Sequence, residues 1–441
     1  MSRRRSLRNA VQRIRHRGTE SGVATLTMVM VLFFVMAMVA AYTNRNLLYE
    51  QRMSINNFRA TAGMAAADAG IDWTIAMLSG ARVDTNCAAP NAPTAADVDF
   101  RNRYTTFQAD GSYTVPKQAI SGALLSPSCV FTAAGWSCKC PNLANPVLAL
   151  DYPANTAPIF SVEIDSNGSP GILTVDVRGS HEASLNNSFG TLGNYNRVQV
   201  SLALARALPV APVAALTAGR NVDMSAAASL KVSNPDPKSA VTIHAGNDFR
   251  RSGVVADPTA DPDASLLGPA GSSGDTIRSD ANLAGMAGTS QFFQSLFGMD
   301  AATFKRQPAA VFLDCAAGCN SANIATALAN NPGRIIWIDG DINLDNAATL
   351  GTAAQPVMLV ASGDITISSQ LIINGFISSG RDILWNAAAG SLVLGAVVAS
   401  RDFVGTTPVT IAYDADMMQH ISLGYGSFVR VPGSWHVISG R

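Results

Sequence analysis

Acidic and amide residues alternate in the stretch IDGDINLDN, at Asp339, Asp341, Asn343 and Asp345. On a strand, this period of two places all four on one face, an oxygen-ligand set suited to Ca²⁺. The pattern departs from an EF-hand loop, where glycine is required at the position of Leu344 and glutamate at that of Leu350. It reads equally as a solvated strand face flanked by turns. Asp364, Asp382 and Asp402 each follow a Gly or Ser-Arg turn. Stacked in a groove they would offer an acid and a base for glycan chemistry, but at equivalent turn positions they read as architecture. The five histidines (16, 181, 244, 420 and 436) are scattered. The chain has no G-x-S-x-G elbow, no Walker A loop and no H-E-x-x-H. The sequence therefore predicts no enzyme, cofactor or metal centre.

The six cysteines are Cys87, Cys129, Cys138, Cys140, Cys315 and Cys319. Cys-x-Cys and Cys-x3-Cys lack the two-residue spacing of zinc ligands, and no histidine stands close to either group. An even count beyond an apolar segment favours disulfides, with the first four as one set and the last two as another.

These groups must be carried by a chain of 441 residues, 48% hydrophobic and 14% charged. Zero net charge conceals an asymmetry. Residues 1–60 hold ten Arg and two acids, leaving 21 Lys+Arg against 29 Asp+Glu on the rest, a net of −8. A basic tip on an acidic body excludes the usual nucleic-acid binder. Seven arginines between Arg3 and Arg17 precede a charge-free run, Ser21–Asn44. Within it Val23–Tyr42 is 20 residues, enough to cross the lipid core, with the basic side held in the cytoplasm. Nothing stops the helix there. Leu48, Ile55, Phe58, Ala62, Ala65, Ala66, Ala69, Trp73, Ala76 and Met77 continue at helical steps up to Gly80, a C-cap. The pattern predicts one helix over 23–79, on the order of 85 Å long, with a narrow apolar stripe.

Residues 81–158 show little periodicity and read as a cysteine-pinned loop region. Phe160–Ile164, Ile172–Val177 and Val198–Leu204 read as antiparallel strands, and the Pro-broken ARALPVAPVAAL (205–216) as a seam. Beyond it a degenerate repeat places a turn before an apolar residue at Gly219–Val222, Gly246–Phe249, Gly340–Ile342, Gly363–Ile365, Gly380–Ile383 and Ser400–Phe403. The later spacings of 23, 17 and 20 residues suit coils of a parallel β-solenoid, with a β-sandwich as the alternative. Residues 254–333 read as an insertion, with helices at Leu283–Phe297 and Ser321–Asn330 before a strand Arg334–Asp339.

The N-terminal region resembles that of PilX-type minor type IV pilins over about residues 17–80. The matching residues are Glu50-Gln-Arg52, Ser54-x-Asn56, Arg59, Ala66-Ala-Asp68-Ala-Gly70 and Trp73. At Asp68 the family usually has Glu. The resemblance implies an α+β fold: a long transmembrane helix, a pilin-like antiparallel sheet, then the mainly-β domain. It implies a basic leader (1–22), a helix (23–80), a cysteine-containing pilin-like region (81–210) and a β-rich domain (211–441). A prepilin peptidase would cut before Val23 at Gly22, or before Thr19 at Gly18. Counting from Val23, Thr27 stands where major pilins carry the Glu that neutralises a neighbour's terminal ammonium, and several minor pilins lack it too. The implied function is a priming or tip subunit of the pilus in the inner membrane, its C-terminal side periplasmic. The implied partners are other pilins, the peptidase, the assembly machinery and the bilayer, with no nucleic acid. A membrane-anchored adhesin or scaffold, and a polysaccharide-active β-solenoid, are the alternatives.

Overall fold

The computed structural model describes residues 21–80, 82–90, 97–119, 121–150, 157–181 and 195–438. The basic leader through residue 20, including Gly18 and Thr19, lies outside the described residues. The chain divides into two compact units, Met1–Thr61 and Ala62–Arg441.

Helix α1 (Ser21–Leu78) supplies the described part of the first unit and opens the second. No proline interrupts it, and its threonines cause no break. Thr27, Thr43, Thr61 and Thr74 donate their hydroxyls to carbonyls three or four residues back, so each polar group is satisfied within the helix.

In the second unit, α1 packs on a seven-stranded antiparallel sheet. Its centre is Ile159–Asp165, Ile172–Ser180 and Asn196–Arg206, covering the three expected strands. Alternation buries Val198, Val200, Leu202 and Leu204 beneath the helix. The buried helix face differs from the expected stripe. It runs through Gly63, Ala66, Ala67, Gly70, Ile71, Thr74 and Leu78; of the expected stripe Ala66 is buried, while Ala65 and Ala76 are exposed. Small residues win that face because the backbones approach closely. A Cβ added at Gly179 would stand 2.1 Å from the Gly63 carbonyl oxygen, and one at Gly70 would stand 2.7 Å from Val177 Cγ1.

The described residues between 82 and 150 hold more regular structure than their sequence suggests. They hold helix α2 (Phe100–Tyr104), a pair Thr106–Phe107 with Tyr113–Thr114, and a hairpin Ser128–Thr132 with Gly135–Lys139. These elements are too short to show a period. Disulfides fix them instead: Cys129–Cys138 joins directly opposed residues of the hairpin, and Cys87–Cys140 ties the preceding loop to its end.

After the seam, Ala214–Ala218 opens a second sheet of 18 strands, mostly parallel. It is built from three parallel ladders. One joins Ile335–Leu344, Val357–Ala361, Leu371–Ser379, Leu392–Ala399, Ala214–Ala218 and Val241–Ala245. The second aligns Ile342, Ile365, Ile383, Phe403, Val222 and Phe249, the apolar residues of the six sequence repeats, in one register. The third joins Ala348–Leu350, Leu371–Ile373, Val409–Ala412, Leu230–Ser233 and Ala264–Leu267, with Leu392–Leu394 between the second and third. Parallel pairing of this kind is not that of a β-sandwich. The spatial order is not the chain order, since 214–251 lie beyond 392–412.

Residues 254–333 are more than an insertion: Ala264–Leu267, Asp275–Ile277 and Ala310–Asn320 are strands of this sheet. Helices α3 (Ala281–Met286) and α4 (Ser290–Phe297) replace the single expected helix, broken at Gly288, whose φ is +71°. Helices α5 (Ala301–Phe304) and α6 (Ser321–Asn330) follow. Phe293, Phe297 and Phe304 pack with Trp337 and Phe376 as one aromatic cluster. After α7 (Ala415–Gly424) the chain returns to the antiparallel sheet. Gly426–Arg430 and His436–Ile438 both pair with Asn196–Arg206. A sequence boundary at 210 misses that return, because the two partners are more than two hundred residues apart.

Candidate functional site

The first candidate is α1 itself. From Ala24 to Thr61 every residue is exposed, including Met28, Phe33, Phe34, Met36 and Tyr42. The helix is long and apolar enough to cross a membrane. Of the residues singled out from the sequence, Gly22 and Val23 stand in its first turn. Thr27 is exposed, its hydroxyl donated to the Ala24 carbonyl. Glu50, Arg52, Phe58 and Arg59 lie exposed along the same helix. Trp73 is placed differently. Its ring lies 5.3 Å from Phe100 and 5.6 Å from Phe160, so it packs the helix onto its own sheet.

Asp68 and Asp72, one helical turn apart, both reach Arg430 on the strand Gly426–Arg430, at 3.4 and 2.7 Å. Sequence reasoning missed this clamp. The i, i+4 carboxylates were visible, but their partner is 358 residues away.

The second candidate is the row of turns on the parallel sheet. The stacked carboxylates Asp341, Asp364, Asp382 and Asp402 do converge, but in a ladder. Each accepts the backbone N–H of the equivalent residue on the next rung: Asp364 to Asp341 at 2.8 Å, Asp382 to Asp364, Asp402 to Asp382, and Asn221 to Asp402, each at 3.0 Å. Arginines lace the outside. Arg381 bonds Asp341 at 2.5 Å and Asp364 at 2.9 Å, and Arg401 bonds Asp382 at 2.6 Å. Asp364, and then Asp341, hold the Arg381 guanidinium above its ordinary pKa by attraction. A carboxylate that accepts both an N–H and a guanidinium is set up to hold successive strands together.

The Ca²⁺ candidates are divided among separate partners. Asp339 takes Lys305 at 3.3 Å, Asp341 takes Arg381, Asn343 accepts from Ser368, and Asp345 accepts from the Ser321 N–H. Among the described residues no group of three His, Cys, Asp or Glu is arranged to hold a metal ion. The cysteines form three disulfides, the last being Cys315–Cys319.

The remaining feature is a cleft of about 590 Å³ where the antiparallel and parallel sheets meet. Arg82, Arg101 and Arg334 line it, with Phe107 and His420. Nothing in the sequence marks it: its walls come from six separate stretches, 78–82, 97–113, 309, 332–335, 354–355 and 420–426, none with a motif.

Comparison with known proteins gives two findings. Residues 21–72 match the family model described as PilX N-terminal. No curated protein matches. Among solved structures, the competence-associated pilin ComZ from Thermus thermophilus is similar at 10% identity and a TM-score of 0.21, over 86% of this chain and 98% of that one.

Proposed function

We propose that this type IV pilin-like chain, with a PilX N-terminal region over residues 21–72, is a minor subunit of a type IV pilus that primes the fibre or sits at its tip. The observation carrying this reading is the exposure of α1 from Ala24 to Thr61. Such a length of apolar helix requires a partner outside the chain. Lipid supplies it first, and the helices of other pilins supply it in a fibre core. Prepilin peptidase and the inner-membrane assembly machinery would act on it in between. Thr27 supports a minor role, because a hydroxyl bonded within its own helix cannot neutralise a neighbour's ammonium in lipid.

The second unit, Ala62–Arg441, is bulky for repetition along a thin fibre, which favours the tip. Its three parallel ladders support a β-solenoid reading, the Asp–Arg row forming one corner of each coil. Displayed at a tip, that surface is available for adhesion. An anchored adhesin that never enters a fibre would use the same helix. Mass spectrometry of the chain recovered from sheared fibres separates the two. The expected result is a mature N-terminus at Val23, or at Thr19. Absence from fibres with Met1 intact would overturn the pilin reading.

A further inference from the structure

The cleft between the two sheets is lined by three arginines, Arg82, Arg101 and Arg334, against two carboxylates. Its walls are the end of α1 at Leu78–Gly80, the segment carrying α2, the loop before Ile335, Gln355, and the end of α7. Arg101 donates to three carbonyl oxygens: Leu78 at 2.9 Å, Gly424 at 2.9 Å and Gly426 at 2.8 Å. That leaves two of its five N–H groups. Arg334 bonds the Asn331 side chain and the Pro308 carbonyl, and its Nε is buried with no acceptor. Among the described residues, no carboxylate lies within ion-pair distance of either guanidinium. Burial, and then repulsion from Arg101, push the Arg334 pKa down to about 10.

Two carboxylates also line the cleft, Asp97 and Asp99. Asp99 is engaged elsewhere as the cap of α2, accepting the Asn102 N–H at 2.9 Å and its amide at 2.6 Å. Burial raises its pKa, which weakens it further as a counter-ion. His420 stacks on Phe107 with centroids 4.7 Å apart, and burial lowers its pKa, so it adds an aromatic surface and no charge at neutral pH.

We propose that this cleft binds a small organic anion, through a carboxylate or phosphate held by Arg334 and Arg101, with its body against Phe107 and His420. Half-buried guanidinium groups with no carboxylate partner, one with a shielded Nε that finds no acceptor, cost free energy that a bound anion offsets. Guanidinium forks fit carboxylate and phosphate oxygens in pairs. The volume lies within the range of small-molecule sites and exceeds the needs of a lone inorganic ion, so the ligand has the bulk of a sugar acid or sugar phosphate.

Isothermal titration calorimetry on the full chain in detergent tests this, with glucuronate, glucose 6-phosphate and neutral glucose as probes. The two anions are expected to bind and glucose is not. Arg334→Gln should weaken anion binding about tenfold or more. Without ligand its thermal midpoint should change little, because the charge removed has no carboxylate partner. Gln355→Glu places a carboxylate in the same cleft while removing no packed group. It should weaken anion binding and keeps the test valid if the first variant folds poorly. No heat from either anion up to about 10 mM, equal binding of glucose, or full affinity in both variants would overturn the proposal.

Discussion

Asp382 shows what each rung of the turn ladder contributes. One carboxylate oxygen accepts the Asp402 N–H and Arg401 Nε, and the other accepts Arg401 Nη2. Asp382→Ala removes all three bonds and leaves a backbone donor facing a gap, at a cost of about 1–3 kcal/mol. Asp382→Asn keeps one acceptor oxygen and should lose less. Thermal unfolding of the two variants checks the order, and an unchanged midpoint in the alanine variant would show that the ladder holds nothing. This row was legible in the sequence, because a turn residue recurring before an apolar one has only a few physical meanings. The arginine cleft was not legible. Arg101 and Arg334 come from unrelated stretches, and a half-buried cation looks the same in sequence as a solvated one.

At the scale of elements, the docking of α1 depends on missing side chains. Gly63 and Gly70 face the sheet, and Gly179 faces the helix, at distances that leave no room for a methyl group. Gly179→Ala should destabilise the second unit by about 1–3 kcal/mol, since the atoms it meets are backbone and cannot swing away. Chemical denaturation of the purified chain measures the loss, and wild-type stability would mean the helix sits further from the sheet. The length of α1 was readable from its unbroken pattern. Its buried face was not, because counting apolar residues favours Ala65 and Ala76 over the glycines that permit close contact. The short strands of residues 81–158 were hidden for a different reason: a cross-strand disulfide and a loop disulfide replace the apolar alternation that would have revealed them.

At the scale of the molecule, chain order and spatial order disagree, and this determines how the second unit tolerates truncation. In an ordinary repeat array each coil touches only its sequence neighbours, so removing terminal repeats leaves a shorter stable stack. Here Ala214–Ala218 pairs with Leu392–Ala399, and Val222–Met224 with Phe403–Gly405. Asn221 meets Asp402 across 181 residues of sequence. Tyr413 donates to the Pro212 carbonyl, and the strand Gly426–Arg430 closes on Asn196–Arg206. A chain ending at Gly390 therefore loses more than its last strands. It separates residues 214–251 from residues 335–385 in all three ladders and exposes the edge of the antiparallel sheet. Pairings so distant in sequence also form slowly. The truncated chain should be digested by protease throughout residues 196–390, under conditions where the full chain is cut only near its ends. A protected fragment spanning 214–385 would show that the two halves of the parallel sheet stand without the strands that join them.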